Sequence, residues 1–244
     1  MSIWVKNMGA PTDLADIRDQ IDELDGELRD LLLARAKLVD QVGKAKAASG
    51  DTVTLRPQRE AAQIAKLAEW QKTNAPDMSL AGLVAIWREI IGMALHQQGG
   101  LEVLCTAEGE ASARAHFGAS LGYRVVADAA QALAGVSENS VAVVALSQAA
   151  PAQDAAQVVA RLPATGPAQA LCYGLGVDEG ADDQVTLVLS GQPVGIGREI
   201  YQANDMVLSE IDTALSAVQI ADQFASKAIW LGTYRRPISD QGEQ

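Results

Sequence analysis

The first fifty residues carry apolar side chains at a heptad spacing. Two interleaved series with seven-residue steps are formed by Leu14, Ile21, Leu28 and Val42 and by Ile17, Leu24, Leu31 and Leu38. This spacing predicts one long amphipathic helix over residues 12–49 that packs along another helix. Thr12 or Asp13 is suited to cap its start, and Gly50 to end it. At position 35 the pattern asks for an apolar residue, and an arginine stands there.

Two more helices are predicted before residue 100. Pro57 suits the first turn of a second helix over 57–73, because a helix leaves the first backbone N–H groups without partners. The segment NAPDMS at 74–79 predicts a loop, and an apolar stripe predicts a third helix over 79–98.

From residue 101 the pattern changes to short apolar runs between helical segments. Strands are predicted at 101–105, 141–146, 169–176, 185–190 and 228–234, helices at 111–122 and 128–137, and a helix or a helix plus strand at 206–225. GQPVGIG at 191–197 is interpreted as a loop. We therefore predict a multidomain α plus α/β chain, with an all-α domain at 1–99 and an α/β or α+β domain at 101–244, and a possible inner boundary near 177–182.

Composition narrows the class of protein. The net charge is −12, and a nucleic-acid-binding surface normally shows a basic footprint, so no nucleic-acid partner is expected. No apolar run approaches the roughly 18 residues that a membrane helix needs. Cys105 and Cys172 indicate no disulfide framework and favour the cytoplasm, and with His96 and His116 they form no metal-ligand spacing.

The cations of the first helix fall into two groups. Arg35 and Lys46 are eleven residues apart, so they share a face and stand roughly 16 Å apart along the axis. Arg18 lies 17 residues before Arg35, roughly 25 Å away. If the helix pairs antiparallel with a copy of itself, Arg18 of one chain reaches the Arg35 region of the other. A symmetric homodimer would then hold two equivalent sites.

The second and third helices add further polar positions, namely Arg56, Arg59, Glu60, Arg88, Glu89 and Gln98. Cations with one carboxylate and one amide around a helical core suit a small dianion that carries a hydroxyl. Singly, each residue has a plainer interpretation: Arg35 could set the register of a coiled coil, and Lys46 could be a solvated surface lysine. These interpretations do not account for the whole set in three successive helices.

Residues 14–98 resemble the all-α chorismate mutase family. The resemblance rests on IRDQIDELDGELRDLLLARAKLVDQVGKAKAASG, RPQREAAQIAKL and VAIWREIIGMALHQQ, with Arg18, Arg35, Lys46, Arg59-Glu60 and Gln98 in order. It implies an intertwined helical homodimer that rearranges chorismate to prephenate for phenylalanine and tyrosine synthesis. It implies no cofactor and no metal.

The resemblance also implies roles for the residues. Arg35, with Arg18 donated across the interface, would bind the two carboxylates of chorismate. Lys46 would contact the ether oxygen and a carboxylate, Gln98 would donate to the same oxygen, and Glu60 would accept from the ring hydroxyl.

Three further positions of the site follow from the same resemblance. Arg59 stands where the family usually has an arginine beside the site. Arg56 replaces an acidic residue whose backbone helps to hold the hydroxyl, and Ala94 replaces a serine that donates to a carboxylate. A backbone contact survives substitution and a serine contact does not, so somewhat weaker substrate binding is expected.

The chemistry explains these residue types. Chorismate becomes prephenate by an intramolecular Claisen rearrangement, which needs neither a nucleophile nor proton transfer. The protein has to hold the reactive conformer and to stabilise charge on the breaking ether oxygen. One such donor is typically worth about 3–4 kcal/mol. A dianionic ligand also makes a buried Arg35 tolerable.

The C-terminal half shows a weaker resemblance. LEVLCTAEGEASARAHFG is similar to the opening of a prephenate dehydratase domain, and DDQVTLVLS and AIWLGTYRRPI are similar to the first and last strands of an ACT domain. The half is short, and it lacks the Thr-Arg-Phe and Glu-Ser-Arg-Pro motifs of those domains. We expect an accessory or regulatory region that is not a working dehydratase.

Other functions stay open from sequence. An isochorismate-pyruvate lyase shares the helical fold and similar cations. A non-catalytic regulatory dimer and a bifunctional mutase-dehydratase are the remaining alternatives.

Overall fold

The computed structural model describes residues 13–151, 155–176, 183–224 and 227–238. Its contacts divide the chain into two compact units, Met1–Gly50 and Asp51–Gln244. The described part of the first unit is helix α1, Leu14–Ser49. The Asp13 side chain accepts hydrogen bonds from the backbone N–H groups of Ala15 and Asp16, and Gly50 ends the helix at φ 72°. The predicted bounds are confirmed, while Thr12 lies outside the described residues.

Helix α1 buries none of its residues within the chain. All eight apolar positions of the heptad seam are exposed, from Ile17 and Leu24 at 42% and 41% to Leu31 at 66%. At 1.5 Å per residue the 36-residue helix is about 54 Å long. A helix of this length with an uncovered apolar seam is typical of one that packs on a partner.

The second unit contains the other helices and all the described strands. The helices are α2 (Pro57–Asn74), α3 (Leu80–Gln97), α4 (Glu110–Phe117), α5 (Ala129–Ala134) and α6 (Ala217–Phe224). The strands are β1 (Glu102–Cys105), β2 (Gly122–Val125), β3 (Ser140–Ala145), β4 (Ala156–Leu162), β5 (Ala170–Leu175), β6 (Gln184–Ser190), β7 (Arg198–Ala203), β8 (Met206–Ile211) and β9 (Ala228–Arg235).

The first sheet has the order β2-β1-β3-β5-β4. Strand β1 pairs parallel with β2 and β3, and β5 pairs antiparallel with β3 and β4. Helices α2, α3 and α4 contribute apolar side chains to the core on this sheet. One cluster contains the sheet residues Val103, Val141 and Leu162 together with Ile64, Ile91, Leu95 and Phe117 of the helices and Leu55, which comes just before α2. Helices α2 and α3 are therefore part of the second unit's core.

Helices α3 and α4 approach each other closely at two glycines. A Cβ on Gly92 would lie 2.2 Å from the carbonyl oxygen of Phe117, so only glycine fits there. Gly118 ends α4 at φ 76°, and the next backbone N–H, on Ala119, donates to Glu89 Oε2 at 2.9 Å. The left-handed backbone and the close packing both favour glycine.

The second sheet is antiparallel, with the order β7-β8-β6-β9. Strands β8 and β9 are joined through α6 and run parallel to each other with β6 between them. This is a split β-α-β arrangement, and a loop stands where the ferredoxin-like pattern has its first helix. A second core joins the two sheets, with Leu104 and Tyr173 of the first packed with Leu187, Leu208 and Tyr234 of the second.

The structure corrects several sequence predictions. The helix predicted at 111–122 ends at Phe117, because Gly118 turns the chain into β2, a strand that was not predicted. Strand β4 was missed because it lies in an alanine-rich stretch, although Val158, Val159 and Leu162 are buried. Strand β7 was missed because its residues are polar and partly exposed. In the segment predicted as a helix or a helix plus strand, Met206–Ile211 is a strand and Ala217–Phe224 is a helix.

The chain thus has an N-terminal helical region followed by a strand-rich region, as predicted. The structure adds that the described strands form two sheets. The compact units divide after Gly50 and not near residue 100, so the predicted domains 1–99 and 101–244 stay a proposal. The predicted inner boundary near 177–182 lies outside the described residues, between β5 and β6. Within the described ranges, no helix is long and apolar enough to cross a membrane.

Candidate active site

Helix α1 carries three of the predicted site residues. Arg18 is exposed near its start, and Arg35 and Lys46 are half-buried on one face. Lys46 lies in the last turn, where a cation interacts favourably with the negative end of the helix dipole. Its neighbour Lys44 points elsewhere and pairs with Asp40 at 2.7 Å. Arg35 occupies the one position of the exposed heptad seam that is not apolar.

The start of α2 holds three more. Arg56 takes the N-cap position, and its Nη2 lies 2.5 Å from Asp51 Oδ2. Arg59 is exposed. Glu60 lies in the first turn, where the helix dipole favours a carboxylate, and it is buried. The pair with Asp51 holds the Arg56 side chain in place. Arg56 is the residue that stands where the family pattern has an acidic residue.

The Glu60 carboxylate is paired with Arg88 of α3. Arg88 Nη1 lies 3.3 Å from Glu60 Oε2, and the side chains are only 5% and 9% exposed. Burial lowers the pKa of the Arg88 guanidinium, and the negative charge of Glu60 opposes that shift. A buried ion pair of this kind is costly to break from one side, because the remaining buried charge loses this counterion.

The end of α3 holds Ala94 and Gln98. Ala94 is buried, and Gln98 takes the C-cap position, where its side-chain Nε2 donates to the Ala94 carbonyl at 3.1 Å. A hydroxyl is thus absent where the family pattern has a serine. The Gln98 amide is held over the helix end and keeps its second N–H for another acceptor.

The second unit brings some of these residues together and keeps others apart. Glu60 meets Arg88, and Ala94 meets Gln98. Ten residues separate Arg88 from Gln98, a rise of about 15 Å along α3. Arg88 and Gln98 therefore lie at different levels of α3.

The importance of Arg88 was not predicted from sequence. Arg88 was noted among the polar residues of the third helix, but nothing local marks it as the partner of Glu60. Glu60 lies 14 residues before the end of α2 and Arg88 eight residues after the start of α3, so the register of the hairpin does not point to this pair either.

Other reactive side chains are structural. Cys105 and Cys172 are free and buried, and burial raises the pKa of both thiols. In the part of the chain that the structure describes, no group of three or more His, Cys, Asp and Glu side chains could hold a metal ion.

A comparison with protein-family models gives a match in the helical region. Residues 17–99 match the family model described as chorismate mutase type II, over about a third of the chain. The matched segment comprises nearly all of α1 together with α2 and α3. This domain supports chorismate mutase activity, which is that of an isomerase converting chorismate to prephenate. No curated protein and no solved structure matches the chain.

Proposed function

We propose that the protein is a homodimeric chorismate mutase that makes prephenate for phenylalanine and tyrosine synthesis. The observation that carries the proposal is the family match over residues 17–99, together with cations, one carboxylate and one amide at the positions of the family pattern. The chain has a net charge of −12, so local cations have to capture the dianionic substrate against the overall field.

The proposed mechanism needs only orientation and electrostatics. Arg35 and the Arg18 of a second chain would hold the two carboxylates by two-point contacts, which fix the reactive conformer. Lys46 and Gln98 would donate to the ether oxygen as its bond breaks and negative charge develops there. Because the reaction is an intramolecular rearrangement, no group has to act as a nucleophile.

Two features of α1 support a dimer. Its apolar seam is exposed along the whole helix, and burying one such side chain typically contributes about 1.5–3 kcal/mol. Arg18 stands 17 residues before Arg35, too far to share a small ligand within one straight helix. An antiparallel pair of α1 helices would cover the seam and bring the two arginines of different chains together.

For the C-terminal half we propose an accessory or regulatory role without dehydratase activity. The absence of the Thr-Arg-Phe motif from the sequence supports it. The split β-α-β order of β6 to β9 supports kinship with the ACT domain, whose first and last strands the sequence resembles. The first helix of that pattern is replaced by the loop before β7.

Subunit exchange tests the shared site. Arg18→Ala and Arg35→Ala homodimers should each be nearly inactive. After mixing and exchange, half of the dimers are hybrids in which one of two sites is whole, so the mixture should recover about a quarter of wild-type turnover. The matched control mixes Arg35→Ala with Lys46→Ala: both belong to the same chain's share of a site, so no hybrid site is whole.

The outcomes separate the possibilities. Recovery in the first mixture alone supports sites built from two chains. Recovery in neither mixture, with exchange shown by mass spectrometry of tagged subunits, contradicts them. Pyruvate and salicylate from isochorismate would identify the lyase instead of the mutase.

A further inference from the structure

A cleft in the second unit is lined by an excess of arginine side chains. Arg88 of α3, Arg161 of β4 and Arg235 of β9 converge there with Glu60 of α2. Arg236 also reaches the cleft, but it pairs with Asp183 at 2.8 Å and Asp212 at 2.5 Å. We call the space between Glu60, Arg88, Arg161 and Arg235 the arginine cleft. It encloses about 40 Å³ of free space and opens to solvent.

The cations of the arginine cleft are incompletely matched by carboxylates. Among the described residues, Arg88 has one hydrogen bond, to Glu60, although a guanidinium carries five N–H donors. Arg235 is half-buried, and its side chain forms no hydrogen bond or ion pair within the described residues. A half-buried guanidinium without a counterion is unfavourable unless an anion joins it.

Arg161 adds a third, deeply buried cation. Its Nη1 donates to the Gly166 carbonyl at 2.9 Å, and its Nε lies 3.2 Å from Glu210 Oε1 without forming a hydrogen bond. Glu210 is also shared, because it accepts from Tyr234 at 2.6 Å and from Arg198 at 2.7 Å. Within the described ranges, three arginines thus face one carboxylate and a share of a second, in a protein that is acidic as a whole.

Apart from His116 and Cys172, the remaining walls of the cleft are mainly apolar. Leu55, Ile64, Val159, Pro237 and Ile238 line it beside the arginines. Guanidinium groups match a carboxylate by two parallel hydrogen bonds. The enclosed space suits the head of such an anion, and the apolar rim suits a hydrocarbon body that extends toward the opening.

We propose that the arginine cleft binds a small organic carboxylate with an apolar body. The carboxylate lies between Arg88 and Arg235, and the body packs on Leu55 and Ile238. The site lies in residues 51–244. It shares Glu60 with the predicted mutase site but uses neither the cations of α1 nor Gln98.

Calorimetry on the full-length protein tests this proposal with three probes: 3-phenylpropionate, its uncharged analogue 3-phenylpropionamide, and inorganic phosphate. We expect 3-phenylpropionate to bind at millimolar concentration and the amide not to bind. Arg235→Met should weaken binding at least tenfold, because one charge-assisted pair is lost. Arg124→Met is the matched control, since Arg124 is exposed and pairs with Glu102 outside the cleft.

Two further variants make the outcome unambiguous. Arg35→Met should still bind 3-phenylpropionate fully, because Arg35 belongs to the predicted mutase site. If Arg35→Met loses this binding and Arg235→Met keeps it, the proposal is overturned. Arg88→Met combined with Glu60→Gln keeps the cleft free of an uncompensated charge and should also weaken binding. Binding of phosphate alone, or no binding of 3-phenylpropionate, would equally contradict an organic-acid site.

Discussion

Lys46 is the residue on which the proposed rearrangement depends most. Its ammonium would stabilise charge on the ether oxygen, and removing one such donor typically costs about a hundredfold to a thousandfold in kcat. We expect Lys46→Ala to lower kcat at least a hundredfold with an unchanged helix content by circular dichroism. Lys44→Ala is the matched control, because Lys44 is exposed and pairs only with Asp40 among the described residues. Equal effects of the two changes would remove Lys46 from the site.

The Glu60–Arg88 pair allows a stability prediction. Arg88→Met leaves the buried Glu60 carboxylate without this cation, and breaking a buried pair from one side typically costs about 3–5 kcal/mol. The double change Glu60→Gln with Arg88→Met should recover most of that loss, because neutral groups replace both charges. Urea unfolding of the three proteins measures both effects. A single variant as stable as the wild type would show that the pair is not a structural contact.

His116 gives the stability of the protein a pH dependence. The ring centroids of His116 and Phe117 lie 4.7 Å apart in an edge-to-face arrangement. Burial, and after it the charge of Arg88, holds the pKa of His116 well below 6.5. Below about pH 6.5 the unfolded chain binds a proton that the folded chain does not, so the free energy of unfolding falls as the pH drops. Between pH 7.5 and 5.5 the wild type should lose about 1 kcal/mol relative to His116→Gln. Parallel curves from urea unfolding would contradict the assignment.

At the residue scale, the spacing of residues along one helix could be predicted from the sequence, whereas contacts between residues of different helices could not. The order and spacing of Arg18, Arg35 and Lys46 are visible in the chain because they lie on one helix with fixed geometry. The contact of Glu60 with Arg88 is not visible, because it depends on how α2 and α3 pair. The roles of all these residues in catalysis stay predictions.

At the scale of elements, the exposed seam of α1 predicts association. Leu28 lies on the seam and is 57% exposed within the chain. Leu28→Glu would place a charge in the proposed α1–α1 interface, so we expect the dimer dissociation constant to rise at least a hundredfold by analytical ultracentrifugation. Lys37→Glu adds the same side chain nine residues on, on the opposite face, and should leave the dimer intact. If both variants associate alike, the seam is not the interface.

Elements with local signals were predicted well, and elements defined by pairing were not. Helices α1 and α2 follow from the Asp13 cap, the apolar period and Pro57 at a first turn, all of which are local. Strands β4 and β7 have weak local patterns, and they exist because β5 and β8 supply their backbone partners. Tertiary pairing overrides β propensity at such positions.

At the scale of the whole molecule, α2 and α3 combine two features: their match to the mutase family and their place in the core of the second unit. They lie in the segment that matches the mutase family, and they share a core with the first sheet through Leu55, Ile64, Ile91 and Leu95. Cutting the chain after Gly100 would expose those side chains, so experiments on the predicted mutase site belong on the whole 244-residue chain. The same arrangement places the arginine cleft against the α2–α3 hairpin, where Glu60 is common to it and to the predicted active site.

The most direct test of the account is the turnover of chorismate by the full-length protein. Chorismate loss is followed by ultraviolet absorbance, and the products are identified by chromatography. The account predicts prephenate as the only product, with turnover that falls in Lys46→Ala and persists in Lys44→Ala. No loss of chorismate by folded, dimeric protein, or no prephenate among the products, would contradict it.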